Sequence, residues 1–327
     1  MWPFKRADRS AAVVDPCLGD TTARRLDEAA GRGDWPAVAA MLAPVEDQDL
    51  RAFYVGVLAD RGGPQPWIGQ WLAAQPQSAL PYLVKGAHAI QWAWQARGNG
   101  AASTVSEAQF AAFFGRLKVA EESLDQAVIR DPEDSTAWAE LITTAIGRRL
   151  GLEEAERRFR EVVARHRWHR SAHARMLQQK CAKWGGSDEL ALEFARGTVE
   201  RMPAGCTLGS MMAVAHFEAA LLADGPTEDY LARPEVLTEV RAAADKSVRH
   251  PEFRRIPGHQ TADGWFALVF HLAGDHAAAA ERFDAIGNLP TELPWGYYRD
   301  AGRAYAQYRT RAYQAAGRPR KGVTDGS

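Results

Sequence analysis

Ala120-Glu121-Glu122-Ser123-Leu124-Asp125-Gln126-Ala127, closed by Asp131-Pro132, is the stretch on which the fold turns. A small residue at 120 is followed four positions on by Leu124, three further by Ala127 and five further by Pro132. On a helix turning ~100° per residue, positions 120, 124 and 127 share one face. Small side chains let a second helix approach, the large one fills the space between, and proline stops the helix because it lacks an N–H and clashes with the preceding turn. Thirty-five residues on, Ala155, Phe159 and Val162 repeat the spacing, with Arg167 in place of proline. Thirty-six further, Ala191, Ala195, Thr198 and Pro203 repeat it with smaller packing residues. Ala279, Phe283 and Ile286 form another copy behind Gly274-Asp275, and Gly33-Asp34 with Val38, Leu42 and Val45 a fainter one.

This spacing resembles the second helix of a tetratricopeptide unit, and Trp138 and Leu141 ahead of Ala155 resemble its first helix, one residue longer than standard. The resemblance implies an all-α chain, an α-solenoid of tetratricopeptide-like helix pairs stacked in series; a non-repetitive helical bundle is the alternative. In this phase Trp138 and Phe159 are expected to be buried against each other's helices. Composition agrees with all-α: β-branched residues are sparse, no alternating run reads as a strand, and alanine and arginine are strong helix formers.

Helices are predicted near 21–31, 35–43, 47–61, 65–74 and 78–97. A break follows at Gly98-Asn99-Gly100. Thr104-Val105-Ser106-Glu107 has the capping-box form and opens a long helix with Phe110, Phe113, Phe114, Leu117, Leu124 and Val128 on its apolar face. Further helices are placed near 134–149, 152–166, 169–182, 187–201, 205–223, 234–249, 260–273, 276–287 and 293–316. Residues 1–20 read as a disordered N-terminus and 317–327 as a disordered tail. Between them lie an N-terminal helical segment over 21–97 and the repeats over 104–316, continuous with it.

The 327 residues carry 46% hydrophobic side chains and 40 basic against 41 acidic ones, the profile of a globular chain with a sizeable core. Only seven basic residues are lysines, a bias we read as genome composition. Near-zero net charge argues against a strongly basic nucleic-acid scaffold. No stretch approaches the ~20 apolar residues of a membrane helix, and no secretory signal follows Met1-Trp2-Pro3-Phe4. Cys17, Cys181 and Cys206, odd in number and far apart, do not form a disulfide framework. A cytoplasmic location is the expectation.

Trp92-Ala93-Trp94-Gln95-Ala96-Arg97-Gly98, the stretch Phe110 to Ala127, and Lys183-Trp184-Gly185-Gly186-Ser187 resemble the bacterial domain-of-unknown-function 4034 family over roughly Leu80 to Arg201. The resemblance implies a tetratricopeptide-like helical fold and brings no activity with it. On a helix Trp92 and Trp94 lie about 200° apart, so they face different surroundings. Arg97 is placed to satisfy the helix C-terminal carbonyls or to lie over an indole. The 183–187 segment reads as an anchored turn, with glycines free to take positive φ and Ser187 as the next cap; the competing reading is a ligand-contacting loop.

His166, His169 and His173, with Cys181 following, approach a zinc-ligand spacing, but a helix break near Arg167 separates His166 and no carboxylate completes the set. The histidines are therefore expected to face solvent, and no metal or cofactor is assigned. Seven arginines between 157 and 175, with Trp168 among them, offer a basic face through Arg157, Arg158, Arg160, Arg165, Arg167 and Arg170. Helical salt bridges to Glu153, Glu154, Glu156 and Glu161 are the plainer account. No phosphate loop, nucleophile elbow or HExxH motif occurs, and no catalytic residue is assigned. The preferred function is a non-catalytic scaffold that binds a protein or peptide in the groove of the first helices, with Trp94, Arg97, Lys183 and Trp184 as partner-binding candidates. Two alternatives stand beside it: an enzyme or small-molecule binder with an inter-repeat pocket, and nucleic-acid binding through the basic face.

Overall fold

Carboxylate caps punctuate the chain. Asp20, Asp34, Asp47, Asp134, Asp275 and Asp300 each stand just before a helix and accept a backbone N–H from its first turn, satisfying donors that have no partner within the helix. A computed structural model describes residues 12–98 and 105–318; among them every regular element is helical. The chain falls into two compact units, Gly19–Phe194 and a second made of Met1–Leu18 with Ala195–Ser327. The division falls at Phe194/Ala195.

In the first unit the helices are α1 (Thr21–Gly31), α2 (Trp35–Leu42), α3 (Gln48–Ala59), α4 (Pro66–Ala74), α5 (Leu80–Arg97), α6 (Glu107–Arg130), α7 (Ser135–Arg148), α8 (Leu152–Arg165) and α9 (Arg170–Lys180). α10 (Asp188–Arg201) carries the chain across the division. Neighbours in sequence pack together as α1 with α2, α5 with α6 and α7 with α8, and alternate helices also touch: α1 with α3, α3 with α5, α5 with α7, α7 with α9. The residues that set the repeat spacing are buried: Ala120, Leu124, Ala127, Ala155, Val162, Ala191, Ala195, Thr198, Ala279, Phe283, Ile286, Val38 and Leu42. The α5–α6 contact is the most extensive, and glycine makes it close. A Cβ at Gly86 would stand 2.5 Å from Leu124 Cγ, and one at Gly147 of α7 would stand 2.6 Å from Leu117 Cδ1.

The second unit holds α11 (Ser210–Ala220), α12 (Thr227–Leu231), α13 (Pro234–Lys246), α14 (Gln260–Leu272), α15 (His276–Ile286) and α16 (Ala301–Ala315). α14 is its centre, packed on α11, α13, α15 and α16, with Trp265, Phe266 and Phe270 buried. Its Asp263 is enclosed with His259 at 3.0 Å and Arg282 at 3.1 Å, so this buried carboxylate is paired. The turns at Gly33-Asp34 and Gly274-Asp275 are built alike. Each glycine has positive φ (72° and 82°), and each aspartate then caps the following helix.

Several expectations are corrected. Residues 12–20 are structured, with Cys17 fully buried and its N–H donated to Asp15 Oδ1; Gly317 and Arg318 likewise extend the order, Arg318 pairing with Asp284 at 2.8 Å. The remaining residues of both termini lie outside the described residues. So does Thr104; the capping box is made by Ser106 and Gln109, two residues later. Phe114 leaves the apolar face of α6 and is 43% exposed. The span 205–223 is a 3₁₀ turn at Thr207–Gly209 followed by α11, the span 293–316 begins with another at Trp295–Tyr297, and the five-residue α12 lies where none was predicted.

Candidate functional site

α5 presents Lys85, His88, Ala89 and Trp92 on one stripe, because these positions are three and four apart. Against that stripe stand Ile68 and Leu72 of α4 and Arg116 and Val119 of α6, enclosing a cavity of about 320 Å³. Pro66 starts α4 at its first position, and the loop before α4 supplies Pro64 at the rim. The interior is apolar, and the charged side chains that line it are Lys85 and Arg116.

Arg116 is held by two contacts. Its Cζ lies 3.8 Å from the centre of the Trp92 ring, and Nη1 donates to the Trp92 carbonyl at 2.6 Å. His88 stacks on Trp92 as well, with ring centres 6.0 Å apart. Its Nδ1 and Nε2 face the carbonyls of Ala59 and Gly63 at 3.3 and 3.0 Å. Burial outweighs those carbonyls and holds the imidazole below its ordinary value. Arg51, Arg158, Arg165 and Arg175 of this unit each meet a carboxylate; among the described residues, Arg116 and Lys85 do not.

The two sequence motifs singled out as partner-binding meet elsewhere in the unit. Trp94 sits edge-on to Phe113 at 4.9 Å and to Trp184 at 5.7 Å. Arg97 does both things expected of it: Cζ is 5.6 Å from the Trp94 ring and Nη1 donates to the Gly98 carbonyl at 3.1 Å. Trp184 is half-buried against Ile142, Ile146 and Val162, while Lys183 is exposed. Gly185 takes φ 92°, the backbone carbonyl of Lys180 leaves no room for a Cβ at Gly186, and Ser187 accepts from Leu190 N–H. Trp138 and Phe159 share this cluster, but both are half-buried, not enclosed.

The histidines are also corrected. His169 and His173 are buried, the first beside Asp49 of α3 and the second among the rings of Phe159, Trp168 and Phe194. His169 is the N-cap of α9, its Nδ1 accepting from Ala172 N–H at 3.4 Å. Burial drives it down to about 3, against the pull of Asp49. His166 lies 3.6 Å from Asp49 and is raised by that partner. Asp49, which burial pushes upward, is held below its usual value by His166, Arg170 and His169. Among the described residues no group of three His, Cys, Asp or Glu side chains is placed to hold a metal ion.

The basic face is largely neutralised. Arg157 pairs with Glu154 at 2.7 Å, Arg158 with Glu121 at 2.5 Å, Arg165 with Glu161 at 2.8 Å and Arg170 with Asp49 at 3.4 Å. Arg167 covers Trp168 at 5.0 Å, and Arg160 is exposed with no ion pair. α3 packs on α5, α7 and α9. Its Gln48 carbonyl accepts from Thr136 Oγ1, and its Arg51 meets Asp134 at 3.0 Å.

The sequence reading had no signal for the α4–α5–α6 cavity, since Lys85 and Arg116 lie on separate helices. No helix among the described residues is long and apolar enough to cross a membrane. No protein-family model matches the chain, and no curated protein is significantly similar to it.

Proposed function

We propose that this chain is a non-catalytic binding protein built on tetratricopeptide-like helix pairs, a solenoid of the kind suggested by the 4034-family resemblance, and that its ligand lies in the cavity between α4, α5 and α6. The observation that carries the reading is an apolar cavity whose two charged lining groups have no carboxylate partner. A buried or half-buried cation without a counter-ion is costly, and a ligand anion would supply what the protein does not. Support for the helix pairs comes from the packing of α1 on α2, α7 on α8 and α14 on α15, and from the matching Gly-Asp turns. The test is a thermal-shift screen of small amphipathic anions on the wild type and on Gly69→Phe. Gly69 lines the cavity, and a Cβ there meets nothing within 4 Å, so the ring fills the cavity without disturbing α4. Stabilisation of the wild type that Gly69→Phe loses supports the site; equal responses reject it.

A protein or peptide partner is the second reading, favoured by one observation: the Trp94–Trp184 contact joins two separate motifs, with both indoles half-buried and Arg97 over the Trp94 ring. Capture of a partner by the wild type that Trp184→Ala loses, with the melting temperature unchanged, would support it. Loss of stability alone would assign Trp184 to packing.

A further inference from the structure

The cavity has a polarity along its length. Lys85 and Trp92 are seven residues apart on α5, a separation of about 10 Å along the helix axis at ~1.5 Å per residue. Helical side chains lean toward the N-terminus, which carries the Lys85 ammonium further from Trp92, whereas Arg116 is fixed on the Trp92 ring and carbonyl. The cations therefore stand toward opposite ends of the stripe, and Ala89, Ile68, Leu72 and Val119 give the cavity its apolar lining. Neither meets a carboxylate of the described residues, and no carboxylate lines the cavity. The volume of about 320 Å³ is at the small end of the range for ligand pockets, which suits a single chain rather than a folded partner.

We infer that the cavity binds an α,ω-dicarboxylate, an unbranched apolar chain with an anion at each end, one on Arg116 and the other on Lys85. This rests on the cavity being the binding site. Arg116 uses one N–H on the Trp92 carbonyl and keeps others free for a carboxylate in its fixed plane. Lys85 is a point charge on a flexible stem, able to follow ligands of slightly different length.

The experiment is titration calorimetry of the full chain with decanedioate, decanoate and decanol at pH 7.5 and low salt. Decanedioate should bind about tenfold more tightly than decanoate, and decanol more weakly still, the increment expected of a charge-assisted contact at each end. Arg116→Gln and Lys85→Gln should each remove the preference for decanedioate while changing decanoate binding by no more than about twofold, because a monocarboxylate can use whichever cation is left. Circular dichroism of both variants checks that they fold. Decanoate equal to decanedioate, or decanol equal to both, overturns the inference while leaving the cavity a binding site. Failure of all three to bind overturns the inference and counts against the site itself, and binding retained in Gly69→Phe places the ligand elsewhere and overturns both.

Discussion

Replacing Gly86 by alanine measures how tightly α5 and α6 are locked. In an open helix the change would stabilise, because alanine exceeds glycine by about 1 kcal/mol in helix propensity. At Gly86 the new Cβ would stand 2.5 Å from Leu124 Cγ, 2.7 Å from Leu124 Cδ2 and 3.1 Å from the Ala120 carbonyl oxygen. Leu124 is fully buried, and Ala120 O belongs to the backbone of α6. Neither can withdraw freely, so the helices must separate or Leu124 must leave its rotamer. Overpacking of this sort costs about 1–3 kcal/mol, which should cancel the propensity gain and leave a net loss of about 1 kcal/mol. Gly69→Ala is the control: it lies mid-helix in α4 with open space around it, so it should stabilise by about 0.5–1 kcal/mol. Leu124→Ala alone should cost about 2–5 kcal/mol, and the double variant less than the sum, since the Gly86→Ala methyl enters vacated volume. Urea unfolding followed by helical circular dichroism reads all four chains. If Gly86→Ala stabilised as Gly69→Ala does, the close approach of α5 and α6 would be refuted.

Arg158→Ala should cost about 1–3 kcal/mol, because it removes the buried donor to the Leu141 carbonyl, the Thr144 hydroxyl and Glu121 while Arg148 still pairs with that carboxylate, whereas Arg160→Ala, at an exposed position, should stay within about 0.5 kcal/mol; equal effects in urea unfolding would refute the distinction. His169 is depressed from 6.5 to about 3, so between those values the unfolded chain binds a proton that the folded one does not, and stability falls as pH falls through that window. His169→Asn keeps a cap for α9 and should remove about 2 kcal/mol of the loss between pH 7 and pH 5, read from unfolding at both values; an unchanged pH slope would refute it. His166 runs the other way: raised by Asp49, it contributes fully below 6.5 and loses its contribution as pH rises through its folded value. His166→Gln should therefore flatten the decline in stability above pH 6.5, again by unfolding; a decline as steep as wild type would refute the pairing.

What was legible in the sequence and what was not follows from range. Caps act within three residues, so Asp34, Asp134 and Asp275 mark their helices directly, and the small-large-small spacing of Ala120, Leu124 and Ala127 marks a buried face wherever the helix goes. Gly86 and Gly147 were invisible as packing residues because their meaning depends on Leu124 and Leu117 from another helix. His169 illustrates the same limit in charge: its spacing to His173 reads as a solvent-facing pair, and only the packing around α9 shows that it is buried, which drives its imidazole down to about 3 against the pull of Asp49, 120 residues earlier. The basic run failed for a related reason, since Arg158 and Arg170 find their carboxylates on α6 and α3. A cation's meaning depends on what stands opposite it. Within a run of seven arginines most are answered by carboxylates, and the two cations that go unanswered in the cavity, Lys85 and Arg116, were unremarkable in the chain. The candidate site is thus defined less by its residue types than by the lack of a carboxylate among the residues that line the cavity.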